Sequence, residues 1–296
     1  MSKYSECIIK WMNRLLSLLF YLCITTVLLV TLQVFCVSSF KIPTYSMEPE
    51  LLPGDNILVY KLSKGARLFN VLAALRGEDV VIHRMPGIGT LKRNDVLVFN
   101  FPYQPNRWDS IAFDVMRYYV KRCIALPGDT LEIRNSRYRV NGTDEELGNV
   151  TAQRQLAITP DTLLHNVVMN TFPWNERLGW TIREFGPLPV PAKGQVVKMD
   201  STTWLLYRQL IEWEQKRKLV LDANGNVLLN DSLIHTYCFQ ENYYFMAGDK
   251  MLNSQDSRYW GLLPESFIVG KVWRIWKSVD RDTDKIRWER IWKKVE

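Results

Sequence analysis

Ile42-Pro43-Thr44-Tyr45-Ser46-Met47-Glu48-Pro49-Glu50-Leu51-Leu52-Pro53-Gly54-Asp55 sets a serine between prolines and a Pro-Gly-Asp turn, just beyond the charge-free run from Leu15 to Phe40. The apolar part of that run, about 20 to 23 residues, is long enough to cross a bilayer core of ~30 Å as a helix. A serine held in a turn directly after such a span reads as a nucleophile presented at the bilayer surface. The run is too long for the core of a cleaved signal peptide, and a cut at Val37-Ser38-Ser39 would release the serine from the membrane. An uncleaved signal-anchor over residues 15–37 is therefore expected. Lys3, Lys10 and Arg14 precede it against Glu6 alone. The positive-inside rule then puts residues 1–14 in the cytoplasm and residues 38–296 outside, with Lys41 weakening the asymmetry without reversing it.

The remaining composition narrows the function classes. The chain has 296 residues, a formal charge of +7 and ample apolar content for a real core. A charge of this size suits a surface near anionic lipid head groups. No zinc-finger spacing or helix-turn-helix pattern points to nucleic acid. The five cysteines and three histidines are scattered without metal-ligand spacing. His83, His165 and His235 read as structural or surface residues, so a histidine-based site is not expected. Cys123 and Cys238 lie in the exported part, where a disulfide is conceivable but two free thiols are the preferred reading.

Past the anchor the pattern is mainly β. Asn56–Tyr60, Asp95–Phe99, Arg117–Ile124, Thr130–Ile133, Arg137–Val140, Tyr243–Ala247 and Phe267–Trp276 read as strands punctuated by Gly and Pro. Leu219–Leu221 and Val227–Leu229 enclose Asn224-Gly225, a hairpin signal. Such short strands argue for a sandwich or barrel-like core. Between about 145 and 241 the pattern changes: Thr203–Lys218 looks helical and the stretch before it irregular. That region is read as an inserted subdomain.

A serine hydroxyl is a weak nucleophile until something takes its proton. Without a credible histidine, a lysine can serve if burial disfavours its ammonium form. In Tyr119-Val120-Lys121-Arg122-Cys123-Ile124-Ala125-Leu126-Pro127-Gly128-Asp129, apolar neighbours surround Lys121. On a strand, Lys121 and Arg122 point to opposite faces, so one can face a site while the other forms an ion pair. A lone strand lysine is ordinarily a solvated surface residue, and a lone serine is no more telling. Their occurrence with the anchor and a third segment is what changes the reading. That segment is Gly248-Asp249-Lys250-Met251-Leu252-Asn253-Ser254-Gln255-Asp256-Ser257-Arg258-Tyr259-Trp260-Gly261.

Together the three segments resemble the bacterial type I signal peptidases, membrane-anchored Ser/Lys proteases. Ser46, followed by Met47 and Pro49, fits the family's S-M-x-P nucleophile, and Lys121 fits its general base. Thr44 matches a Ser/Thr position that helps form the oxyanion hole, with the Ser46 N–H as the other donor. Met47 is placed beside the substrate groove, as is Tyr119. Ser254 matches a serine that positions the lysine amine, and Asp256, Arg258 and Gly248 match residues that brace the site. Lys250, Met251 and Leu252 depart from the family's Asn-Arg-Asp, and Glu50 replaces its usual threonine.

The resemblance implies a β-rich catalytic domain sharing its core with the SOS-repressor autoproteases. It implies an acyl-enzyme mechanism with no metal or organic cofactor. The expected substrates are signal-peptide-bearing preproteins with small residues at −1 and −3, bound extended along a groove. The expected location is the outer face of the cytoplasmic membrane, with the lipid bilayer as a further partner. Two alternatives are a tethered signal-peptide binder impaired in catalysis, suggested by the altered third segment, and a self-cleaving Ser/Lys protease, against which the anchor argues. The Trp- and Arg-rich tail, Val272–Lys277 and Ile286–Lys294, reads as a last strand and a terminal helix packing aromatics on the core. Seating at the lipid interface is its alternative reading.

Overall fold

The computed structural model describes residues 3–104, 107–143 and 145–296. Helix α1 runs Lys3–Phe35, and its stretch Ile9–Phe35 is long and apolar enough to cross a membrane and is not buried against the rest of the chain. The helix stops at Phe35, two residues short of the expected boundary. Lys61 explains the stop: its Nζ donates to the carbonyls of Gln33 (2.8 Å) and Val34 (3.0 Å), groups the helix end leaves unpaired. Val37 then opens strand β1 (Val37–Lys41), pairing with Tyr60 of β2 (Asp55–Tyr60).

The expected mainly-β architecture is found. Strands β3 (Val96–Asn100), β4 (Tyr118–Ala125), β8 (Tyr243–Ala247), β9 (Leu263–Pro264) and β10 (Ile268–Ser278) join β1 and β2 in a seven-stranded antiparallel sheet, ordered β1-β2-β10-β3-β4-β8-β9. Register shifts along β10 against both neighbours curl the sheet, as bulges do. Between β4 and β8, strands β5 (Thr130–Arg134), β6 (Arg137–Val140) and β7 (Phe185–Pro189) form a second sheet, ordered β6-β5-β7.

Residues 145–241 are knit into this body. They supply β7, and Leu156, Leu206 and Tyr207 share one core with Phe99, Cys123 and Phe245. Helix α2 (Val150–Ile158) occupies part of the stretch expected to be irregular. Only Gln153 and Leu156 of it are buried, a stripe too thin to signal a helix. Helix α3 (Ser201–Gln215) starts two residues earlier than expected because Asp200 and Thr203 form a capping box.

A smaller core lies under the turn that carries Ser46: Ile42, Met47 and Leu51 pack with Ile57, Val59, Val96, Val98, Val272, Ile275 and Val295. Cys123 is buried and Cys238 exposed, both as free thiols, and the three histidines are exposed. The tail differs from its expected helix: only Trp288–Arg290 turns, as a single 3-10 turn. Trp288 and Trp292 are 72% and 55% exposed rather than packed on the core. The chain instead runs back along β10, with bridges Val279 to Ile286 and Arg274 to Lys294.

Candidate active site

The turn carrying Ser46 is a loop closed at its neck. Ile42 N–H donates to Asp55 O at 2.8 Å and Gly54 N–H to Ile42 O at 2.9 Å. Within it, Leu51 N–H reaches Met47 O at 2.9 Å and Glu48 N–H reaches Tyr45 O at 3.0 Å. Burying Ile42, Met47 and Leu51 stabilises the loop by an amount on the order of 5 kcal/mol before entropy. Ser46, beside buried Met47, is thereby held in place. Met47 is 1% exposed and forms floor rather than wall.

Lys121 sits in the middle of β4, opposite Leu97 of β3. Its Nζ lies 2.5 Å from Ser46 Oγ. The side chain is 4% exposed. Burial pushes its amine down to about 8; Asp256 and Asp249 oppose that fall and Arg258 adds to it. A useful fraction is therefore neutral near pH 7, able to accept the serine proton. Arg122 turns to the other face of β4 and pairs with Asp249, the alternation a strand imposes.

The third segment reaches the same place through strand register. Ala247 of β8 lies opposite Arg122 of β4, so Gly248 emerges beside Lys121. A Cβ on Gly248 would fall 2.0 Å from Ser254 Oγ and 2.7 Å from the Ser46 carbonyl oxygen, which only glycine avoids. Ser254 is buried there, and its hydroxyl has no hydrogen-bond partner among the described residues, Lys121 included.

Asp256 and Arg258 are fully buried and joined twice, Nε to Oδ1 and Nη2 to Oδ2, both at 2.8 Å. Asp256 Oδ2 also accepts the Gly248 N–H at 2.9 Å, and Arg258 Nη2 donates to Met251 O at 2.9 Å. Burial alone would raise the Asp256 carboxyl, yet the Arg258 charge and hydrogen bonds hold it below the usual carboxylate range. The pair fixes the backbone on both sides of the segment's bend.

Thr44 Oγ1 lies 3.5 Å from Ser46 Oγ on the exposed side of the loop. Tyr119 stacks on Phe101 with centroids 4.4 Å apart, its ring 5.7 Å from Lys121 Nζ and its hydroxyl 3.4 Å from Gln255 Oε1. The residues that depart from the family pattern also find roles. Lys250 bridges Glu48 at 2.5 Å and donates its N–H to Ser46 O at 3.1 Å. Met251 is buried and Leu252 faces the groove.

Ser46, Lys121, Thr44, Tyr119 and Ser254 border one groove of about 860 Å³. Its far wall is built by Trp108, Trp174 and residues 166–168, none of which the sequence reading picked out. Residues 166–168 and Trp174 lie far along the chain from the three motifs, and no local pattern marks any of the four positions or Trp108. Among the described residues, no group of His, Cys, Asp and Glu is arranged to hold a metal.

Comparison with known proteins agrees with this geometry. The family model described as signal peptidase, peptidase S26, matches residues 12–276. Signal peptidase I of Pseudomonas aeruginosa is 28% identical over 262 residues, 85% of this chain and 68% of its own. That of Buchnera aphidicola (from Baizongia pistaciae) is 27% identical over 259 residues, covering 83% and 71%. That of Helicobacter pylori is 24% identical over 290 residues, covering 91% and 90%. Since the family model covers most of the chain and the segments bearing Ser46, Lys121 and Ser254 meet in one groove, the protein belongs to the signal peptidase family, peptidase S26.

Proposed function

We propose that Ser46 and Lys121 are the nucleophile and general base with which this membrane-anchored serine endopeptidase releases signal peptides. The observation that carries the assignment is the buried Lys121 amine 2.5 Å from Ser46 Oγ. Ser46 Oγ attacks the scissile carbonyl carbon while its proton passes to the neutral Lys121 amine. The oxyanion formed is received by the Ser46 N–H and the Thr44 hydroxyl. As the C–N bond breaks, the Lys121 ammonium protonates the leaving amine, and an ester on Ser46 remains. Lys121 then takes a proton from water as its oxygen attacks the ester, and returns it to Ser46 Oγ as the ester C–O bond breaks and the peptide's carboxyl leaves. The resemblance assigns Ser254, buried beside Gly248, to steady the amine when it carries its proton.

The substrate's C-region lies extended along the groove. Strand β1 is an edge of the large sheet, and Phe40, Lys41 and Ile42 border the groove, so a peptide can add to that edge through its backbone. The resemblance supports small side chains at −1 and −3. Lys10 and Arg14 on the helix flank support an N-terminus inside and a catalytic body outside the cytoplasmic membrane. Exposed Trp273, Trp276, Trp288 and Trp292 on the β10 and tail segments support contact with the lipid interface.

The test uses detergent-purified protein and a preprotein with alanine at −1 and −3. Wild type should cut after the −1 residue, Ser46→Ala and Lys121→Ala should not, and tryptophan at −1 should abolish cutting. Equal cutting by Ser46→Ala would reject the assignment.

A further inference from the structure

The tail from Val279 onward lies beyond the family match, which ends at residue 276, yet it converges on the loop that carries Ser46. Asp55, at the loop's neck, is fully buried. It accepts Leu52 N–H at 2.8 Å, Ser278 Oγ at 2.6 Å and Arg290 Nη2 at 2.6 Å, with Arg290 Nε at 3.2 Å from both its oxygens. Arg290 Nη2 also donates to Glu50 O at 2.9 Å, and Arg287 Nη2 to Pro53 O at 2.6 Å. On the loop's other limb, Arg281 Nη1 donates to Pro43 O at 2.8 Å. A Cβ on Gly54 would meet the Val279 carbonyl oxygen at 1.9 Å, so tail and loop are in direct contact.

The tail also reaches the strand of the base. Arg122 Nη1, one residue past Lys121, donates to the Glu296 main-chain oxygen at 2.5 Å. Val295 packs in the small core with Ile42, Met47 and Leu51. Glu50, where the resemblance leads one to expect threonine, receives Lys293 Nζ at 3.2 Å and Glu296 N–H at 3.3 Å. Its carboxylate is thus contacted by the tail, and the Arg122 charge also acts on it.

We propose that residues 279–296 form a strap that sets the distance between Ser46 and Lys121, with Arg290 as its chief positioning residue. The proposal rests on the reading of Ser46 and Lys121 as the reacting pair. Three planar contacts to Asp55 and one to Glu50 make Arg290 the point where strap and loop are joined, and a lysine there would keep charge but lose the fork. Loosening the loop lets Ser46 drift and admits water to Lys121. The charged groups facing that amine are Asp256, Arg258 and Asp249, none of which the strap supplies. A strap defect therefore acts on the amine through hydration and, by way of Arg122, through Asp249.

The experiment compares full-length wild type with Arg290→Ala, Arg290→Lys and Glu50→Thr in detergent, with kcat normalised to sites titrated by a serine-directed acylating agent. Arg290→Ala should lose about tenfold to a hundredfold in kcat with KM nearly unchanged, the scale expected for a displaced reacting group. The rising limb of its pH–rate profile should move to higher pH as Lys121 regains water, and Arg290→Lys should recover part of both. Glu50→Thr spares the buried Asp55 contacts, so it stays folded even if Arg290→Ala does not, and should show a smaller change in the same direction. Unchanged normalised kcat and an unchanged pH limb in these variants would overturn the strap, because a purely structural loss only lowers the number of titrated sites. Lysine NMR on the Ser46→Ala background, following Lys121 with and without Arg290→Ala, reads the same hydration without turnover. It keeps the strap testable should wild type fail to cut preprotein, a result that would count against the dyad reading alone.

Discussion

Arg122 Nε and Nη2 hold Asp249 Oδ1 and Oδ2 at 2.7 and 2.6 Å, joining the strand of the base to the first acid of the third segment. Both side chains are buried, 9% and 3% exposed. Because Lys121 and Arg122 are adjacent, this pair fixes where Lys121 stands relative to Gly248. One face of β4 carries chemistry and the other carries the bracket that holds it.

Removing one partner exposes the cost of that bracket. Asp249→Ala leaves the Arg122 charge buried with only the Asn94 and Glu296 main-chain oxygens as partners. Unfolding by urea should show a loss of about 3 to 5 kcal/mol, and the double variant Arg122→Met/Asp249→Leu should recover most of it.

Gly248 is the tightest point of the site. Gly248→Ala drives a methyl group into Ser254 and the Ser46 carbonyl. A displacement near 1 Å at the serine should cost about a hundredfold in kcat, with KM little affected. Circular dichroism of the variant should remain close to wild type.

Thr44 is exposed on the loop, so its change tests chemistry with little effect on packing. Thr44→Val should lower kcat by about a hundredfold if its hydroxyl receives the oxyanion, while Thr44→Ser should stay within a few fold. Steady-state kinetics on one peptide substrate separates the two.

The depressed Lys121 amine links activity and stability to pH with the same sign. Activity, expressed as kcat/KM, should rise with pH through an apparent value of about 8, where the free enzyme loses that proton. Folding is penalised by the same burial. The folded value lies below the unfolded one, so the penalty is absent above about 10.5, grows as pH falls, and is complete below about 8. Lys121→Met should therefore be inactive yet more stable at pH 7, by roughly 3 kcal/mol at most. Thermal melts at pH 7 and pH 10 should show the gain shrinking at the higher pH.

Strands with strong turn chemistry at their ends were legible in the sequence to the residue. Arg137–Val140, Leu219–Leu221, Val227–Leu229 and Tyr243–Ala247 have the same limits in the structure, each followed by a Gly- or Asn-bearing turn. Ser46, Lys121 and Gly248 also meet as their spacing and the resemblance led one to expect, because sheet register brings β2's loop, β4 and β8 together. What was not legible depends on distant partners. Strand β7 forms because β5 offers it an edge, and its own Phe185-Gly186-Pro187 carries no strand pattern. The tail looked helical from its interleaved Trp and Arg, but Asp55, far away in sequence, captures Arg290, and the chain there makes only a single 3-10 turn. Trp108 and Trp174 become groove walls only once the 145–241 region has folded against β8 and its loop.

The most direct measurement is the identity of the covalent intermediate. Acid-quenched reactions of wild type with a preprotein-derived peptide, digested and analysed by mass spectrometry, should show the peptide's −1 carboxyl esterified to Ser46. Lys121→Ala should accumulate none. Peptide attached to any other residue, or turnover by Ser46→Ala with no adduct, would contradict the account.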